Sequence, residues 1–218
     1  GLSGKPLAPN TATRLKTVAR SCVRRAVDLG LIEVNPWPPT QRGAKHRKVR
    51  RQAKGVDVQA LPGPSTMRRA LAAIATHQPG SRNYQVMTSV LYYAGLRPSE
   101  AVMLRPRHLS LPPSGWGLIR VEEADISFDE PGQPKTGNRS VPIPPVLVLL
   151  LAEWIEVGSF ARDDHLFRTR NGRRPSSSNW GRAWHRALRS IGREPLRLYD
   201  CRHAAATTWL NAGVPLGE

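Results

Sequence analysis

Residues 92–104 read YYAGLRPSEAVML, and the two apolar runs that meet there decide how the rest of the chain is read. Upstream, Tyr84, Met87, Val90, Leu91 and Ala94 recur at helical spacing and give one apolar face. Gly95 is a helix stop, because glycine accepts the left-handed backbone angles found just past a helix. Pro98 suits the first turn of a new helix, where its missing N–H costs nothing. Ala101, Val102 and Leu104 give that second helix, read as running to Leu104, its apolar surface. Arg97 is therefore expected at a helix–helix corner, half buried, where a charge requires a partner. Glu100 is one candidate partner and an anionic ligand is another.

Composition narrows the ligand. The chain of 218 residues suffices for one large domain, or one domain and part of another. An apolar fraction of 39% supports a core. Lys and Arg number 33 against 16 Asp and Glu, for a net charge of +17, which favours a polyanionic partner, nucleic acid first. No apolar run approaches the roughly 20 residues that span a bilayer, and VLVLLLA at 146–152 reads as a core helix. The N-terminus shows no signal-peptide pattern. Cys22 and Cys201 each fall in a helical apolar pattern, so they read as reduced core residues of a cytoplasmic protein. No Cys/His cluster has zinc spacing, and there is no Walker loop or dinucleotide fingerprint. No metal or cofactor is expected.

Along the chain, residues 10–29 read as one amphipathic helix with Leu15, Val18, Ala19, Cys22, Val23 and Ala26 on its apolar side. Asn10 or Thr11 is placed to cap it and Gly30 to end it. Its polar side carries Arg14, Lys16, Arg20, Arg24 and Arg25 with Asp28 as the sole acid, so Arg20 and Arg24 are candidate phosphate contacts. Residues 35–64 are rich in Pro and Gly and enclose RGAKHRKVRRQAK, which has seven Lys and Arg and no acid. This reads as an interdomain linker whose Arg47, Lys48, Arg50 and Arg51 would neutralise DNA phosphates. Helices are expected again from Ser65 to Ala75 and from Ser81 to Ala94. GLIRVEE and RSVPIP read as paired antiparallel strands, with the turn-rich DEPGQPKTGN between them. Helices resume at Val146–Val157, Ser178–Ile191 and Asp200–Ala212. The fold class is thus mainly α with a small antiparallel β-sheet, an α+β domain.

Three basic residues stand at special places: Arg97 at the corner, Lys135 on the β-turn, and Arg202 in LYDCRHAAATTWLNAGV. In the last stretch Ala204, Ala205, Thr208, Trp209 and Ala212 form the buried side. Asp200 is the expected N-cap, which would put Arg202 and His203 in the first turn, where free N–H groups favour anions.

YYAGLRPSEAVMLR, PKTGNRSVPIP and LYDCRHAAATTWLNAGV resemble, in order, the three motif regions of the tyrosine recombinase (phage integrase) family. The N-terminal helix with LGLIEVNPW resembles the last helix of that family's core-binding domain. The resemblance implies residues 1–34 as the end of a helical core-binding domain, 35–64 as the basic linker and 65–218 as the catalytic domain. It implies a site-specific recombinase that breaks and rejoins double-stranded DNA through a 3′-phosphotyrosyl link, without metal or ATP, as a homo-tetramer when intact. Arg97 and Arg202 would clamp the phosphate, Lys135 would protonate the leaving oxygen, and Glu100 would orient Arg97.

The sequence departs from the family pattern in two ways. Tyr199 stands where the family often has histidine. It can hydrogen bond to phosphate, but a tyrosine hydroxyl in general, unlike an imidazole, is a poor base at neutral pH. His203 matches a position where the family often has His and is expected behind the site. The chain also ends at Glu218, before the place of the family's nucleophilic tyrosine. Tyr84, Tyr92, Tyr93 and Tyr199 do not match that place, so the resemblance implies a C-terminally incomplete sequence that binds DNA weakly without cleaving it. Three other readings compete: a non-catalytic DNA-binding protein of the same fold, a type IB topoisomerase-like relaxing enzyme, and a helix-turn-helix regulator. The AGLRPSE stretch argues against the second, and the third leaves Lys135 and its hairpin unexplained.

Overall fold

The computed structural model describes residues 7, 9–37, 57–76, 81–127, 130–134, 137–193 and 196–214. The chain divides into two compact units, Gly1–Lys54 and Gly55–Glu218. The basic run with Arg47, Lys48, Arg50 and Arg51 lies outside the described residues, as does Lys135.

The first unit contains α1 (Pro9–Asp28). The helix starts at Pro9, so Asn10 and Thr11 lie inside its first turn and do not cap it. Gly30 ends it with φ of 68°, and its N–H donates to the Val27 carbonyl at 2.9 Å. The apolar stripe has its helical spacing, yet Leu15 and Val18 are more than half exposed and Cys22 is exposed. Cys22 is therefore not a core residue. Among the described residues of this unit α1 is the only helix, and Ala19, Val23 and Ala26 of the stripe are half-buried.

The second unit opens with a 3-10 turn at Val58–Ala60 and then α2 (Pro64–Thr76) and α3 (Ser81–Tyr93). Helix α2 buries one face, with Met67, Ala70, Leu71 and Ile74, whereas α3 is buried all round over residues 86–91. The corner helix α4 (Pro98–Ala101) is a single turn. It does not reach Leu104, because the Leu104 carbonyl is taken by the Leu166 N–H at 2.9 Å and the chain leaves the helix to meet it.

A 3-10 turn at Pro106–His108 leads into β1 (Leu109–Ser110), followed by β2 (Gly117–Val121). Next come β3 (Ala124–Ser127), β4 (Glu130–Gly132) and β5 (Arg139–Ile143). The strands β1, β2 and β5 make one antiparallel sheet with β2 central, in the register Gly117↔Ile143 through Val121↔Arg139. Alternation sets its faces: Ile119, Val121, Val141 and Ile143 point into the core, while Arg120, Ser140 and Pro142 face water. The segment between β2 and β5 is more than a turn. There β3 and β4 pair as a separate two-stranded ribbon with a register shift between Asp125 and Ser127. Pro131 and Gly132 read as turn formers, but a proline is accommodated on a short, irregular edge strand.

The last helices are α5 (Pro145–Gly158), α6 (Ser177–Ser190) and α7 (Leu198–Asn211). Trp180 and Trp184 of α6 are fully buried, and each indole N–H is satisfied, by Thr88 Oγ1 at 3.0 Å and by the Leu196 carbonyl at 2.9 Å. Helix α7 begins two residues earlier than Asp200. Asp200 is its third residue, and its carboxylate accepts the Arg197 N–H at 2.7 Å. Arg202 and His203 consequently lie in the second turn. Ala204 and Ala205 are buried and Trp209 partly so, but Thr208 and Ala212 are exposed. The Thr208 hydroxyl instead donates to the Ala204 carbonyl at 2.9 Å.

Candidate active site

The corner between α3 and α4 is built from backbone outward. Gly95 takes φ of 59°, the left-handed region, and a Cβ there would stand 2.7 Å from the Trp209 ring of α7. Glycine is required by angle and by space. The turn carries Leu96 into the core and presents Arg97 at the N-cap of α4 with extended angles. Pro98 then starts the helix, and Glu100 is its third residue.

Glu100 is 1% exposed, deep for a carboxylate, and four donors meet it. The Arg97 N–H donates to Oε2 at 2.8 Å and Arg97 Nη1 to Oε1 at 2.9 Å. Arg139, the first residue of β5, adds Nη1 to Oε1 at 3.0 Å and Nη2 to Oε2 at 2.7 Å. Burial by itself would push the carboxyl up. The Arg139 hydrogen bond, then the Arg97 N–H and guanidinium, outweigh it and bring Glu100 down to about 2.

Arg202 reaches the same corner from α7. Its Nη1 donates to the carbonyl of Gly95. Burial lowers its pKa, and the positive charges of Arg97 and Arg139 act in the same direction. All three guanidinium groups therefore share one electrostatic neighbourhood. An arginine remains protonated under such a shift, so three positive charges face one carboxylate and the corner carries an excess that favours an anion. Tyr199 is near enough to raise the Arg97 pKa, behind the larger influence of Glu100. The His203 ring stands against it edge to face, with centroids 5.0 Å apart.

Of the residues singled out in the sequence, Arg97, Glu100, Tyr199 and Arg202 are thus brought together, with His203 behind Tyr199. Arg20 and Arg24 are exposed on α1, and the Arg20 guanidinium lies 5.6 Å from the Trp37 ring centroid. Arg139 was within the quoted PKTGNRSVPIP and received no role. Its place follows from strand register, which sets it opposite Val121.

A second feature escaped the sequence reading. Helices α2 and α6 contain no acid, and both expose arginines: Arg68 and Arg69 on one, Arg182, Arg186 and Arg189 on the other. Elsewhere the acids are matched by internal arginines. Arg107 holds Glu123 and Asp163, each at 2.6 Å; Arg168 holds Asp164 at 2.7 Å; Arg82 holds Glu153 at 2.8 Å. Among the described residues no group of three or more His, Cys, Asp or Glu could hold a metal ion, and no helix is long and apolar enough to cross a membrane.

Residues 64–218, well over half of the chain, match the model of the phage integrase family. The chain belongs to the phage integrase family. No curated protein matches it in sequence. Solved structures of other integrases and recombinases share its fold. The Tn1549 transposon integrase in complex with transposon right end DNA superposes with a TM-score of 0.64 at 18% identity, over 98% of this chain and 71% of that one. The XerH site-specific recombinase bound to its palindromic difH substrate, a post-cleavage complex, gives 0.56 at 18% identity over 72% of this chain. The XerA recombinase gives 0.53 at 20% identity over 69%. The chain spans only 43% of the XerH chain and 50% of the XerA chain. The mainly helical domain with its small three-stranded antiparallel sheet is the catalytic-domain fold of this integrase family.

Proposed function

We propose that this phage integrase family chain is part of a site-specific recombinase that breaks and rejoins double-stranded DNA. The observation that carries the reading is the corner where Arg97 and Arg139 hold one buried carboxylate and Arg202 is tied to the Gly95 carbonyl of the same turn. In the proposed reaction a tyrosine hydroxyl attacks a backbone phosphorus. The new bond is a 3′-phosphotyrosyl ester, the bond that breaks joins phosphorus to the 5′ oxygen, and that oxygen leaves as a 5′-hydroxyl after taking a proton. Arg97 and Arg202 hydrogen bond to the non-bridging oxygens, where negative charge accumulates. Lys135 supplies the proton to the leaving oxygen. Tyr199 adds a hydrogen bond to the phosphate in place of the family's histidine, and His203 supports its ring. The attacking hydroxyl is left unassigned: Tyr84, Tyr92 and Tyr93 are packed on the core in α3.

Around this centre, Gly1–Lys54 would supply the end of a core-binding domain, and the basic run at 42–54 would lie along the DNA backbone together with Arg20 and Arg24. The intact protein would act as a homo-tetramer on two duplexes. The test is covalent trapping. Intact protein is incubated with duplex carrying the ends of its own element, nicked near the cleavage position, and denatured. A protein–DNA adduct that protease converts to phosphotyrosyl peptide on a 3′ end is the expected result, and Arg97→Ala should abolish it. Tight DNA binding with no adduct would identify a DNA-binding protein that kept the fold without the chemistry.

A further inference from the structure

We propose that Arg139 is a positioning residue of the phosphate site: its guanidinium fork fixes the Glu100 carboxylate, which in turn fixes the Arg97 guanidinium. The inference rests on the phosphate-site reading above. It begins with the geometry of one carboxylate. Each Glu100 oxygen has two lone pairs, and each receives one donor from Arg97 and one from Arg139. Oε1 takes Nη1 of both arginines, while Oε2 takes the Arg97 backbone N–H and Arg139 Nη2. Arg139 is thus the fork-to-fork partner, with two parallel bonds that set the plane of the carboxylate.

That plane decides where Arg97 points. With only the two Arg97 donors, the carboxylate could rotate about its terminal torsion, which is broad for a glutamate, and carry the Arg97 guanidinium with it. Arg139 removes that freedom from a rigid base. It opens β5, where its backbone pairs with Val121 of the central strand. It is 27% exposed and Arg97 22%, so the pair sits at the rim of the site with the carboxylate beneath. Burial first, then the Arg97 charge and, less, the Arg139 charge lower the Arg202 pKa. The sheet and the corner helix are coupled through this one carboxylate, and α7 joins them through the Arg202 bond to the Gly95 carbonyl.

Charge and positioning make different predictions for Arg139→Lys. Lysine keeps the charge but is a point donor without a fork. The experiment uses the 218-residue chain, inorganic phosphate as the probe, and NMR of the arginine side-chain Nε–H groups, with the Glu100 carboxyl carbon followed against pH. Wild-type Arg97 and Arg202 signals should shift on adding phosphate. In Arg139→Lys and Arg139→Gln the affinity should fall about tenfold, the worth of one charge-assisted hydrogen bond, and the Glu100 carboxyl should titrate higher than in the wild type. Thermal unfolding reports whether each variant folds, and the lysine variant carries the test if the glutamine variant does not. A folded Arg139→Lys that binds phosphate as tightly as the wild type overturns the positioning role, even with a lower melting temperature. A wild-type chain in which phosphate moves neither Arg97 nor Arg202 overturns the phosphate-site reading, and this inference with it.

Discussion

The Arg202 guanidinium donates to the carbonyl oxygen of Gly95, so an α7 side chain is tied to the backbone of the turn that presents Arg97. The same turn is packed against Trp209, two turns further along α7, whose ring leaves no room for a Cβ at Gly95. Helix α7 therefore both supplies one arginine and shapes the loop that supplies the other. Gly95→Ala should lose about 2–3 kcal/mol of stability, from the left-handed φ and the overpacked contact together. Trp209→Leu in the same chain should recover the packing part and leave the backbone part. Urea denaturation of the two single variants and the double variant reads the coupling directly.

Glu100 predicts an acid limb of stability. Its folded value of about 2 lies below the ordinary 4.5, so the unfolded chain binds the proton more readily. The stabilisation is complete above about pH 4.5 and is lost as pH falls toward 2. Over that window the difference in unfolding free energy between wild type and Glu100→Gln should shrink by about 3 kcal/mol, from roughly 2.5 pH units at 1.36 kcal/mol each. At neutral pH the variant should be the less stable, because two guanidinium groups lose a buried counter-charge. Denaturation curves at pH 7, 4.5 and 2.5 decide it, and a difference that does not vary with pH would show that Glu100 is not held ionised by the two arginines.

Much of this corner was legible because its local signals agree. Gly95, Pro98 and Glu100 each prescribe backbone or capping geometry within a few residues, and the structure has a turn, a helix start and a cap at those positions. Signals that depend on distant partners were read less well. Asp200 looks like an N-cap in isolation, but the chain already turns helical at Leu198, and its carboxylate reaches back to Arg197. Cys22 has a core residue's spacing on a helix with no described partner. Arg139 gains its meaning only when strand register brings β5 against the corner, which no spacing within PKTGNRSVPIP reveals. The β3–β4 ribbon was hidden because Pro131 and Gly132 are turn residues by propensity and were outvoted by pairing.

The arginines of α6 make a claim on DNA that competes with the linker. Each phosphate contact that is removed should flatten the plot of log affinity against log salt by about 0.9. On a non-specific duplex, replacing Arg182, Arg186 and Arg189 by Ala should lower the slope if the acid-free helix lies along the backbone. Replacing Arg47, Lys48, Arg50 and Arg51 by Ala tests the linker in the same way. Measured by fluorescence anisotropy between low and moderate salt, the two sets should each lower the slope and should add, because they sit in separate units. A set that changes affinity without changing the slope does not touch phosphate.

Lys135 is tested by changing the leaving group. If it is the general acid, it acts when the 5′ oxygen departs, and a better leaving group makes it dispensable. Sulfur at the 5′ bridging position leaves as a thiolate, whose conjugate acid is far stronger than an alcohol, so little protonation is required. In the intact protein Lys135→Ala should cleave ordinary DNA slowly, by a factor on the order of 10² to 10⁴. On the sulfur-bridged substrate it should regain most of the wild-type rate. Arg97→Ala should stay slow on both, since the charge it stabilises is on the non-bridging oxygens and is unaffected by the sulfur. Arg139→Lys should follow Arg97 and not Lys135, because its proposed action reaches the phosphate only through Glu100 and Arg97. Equal slowing of Lys135→Ala on the two substrates would remove Lys135 from the proton transfer.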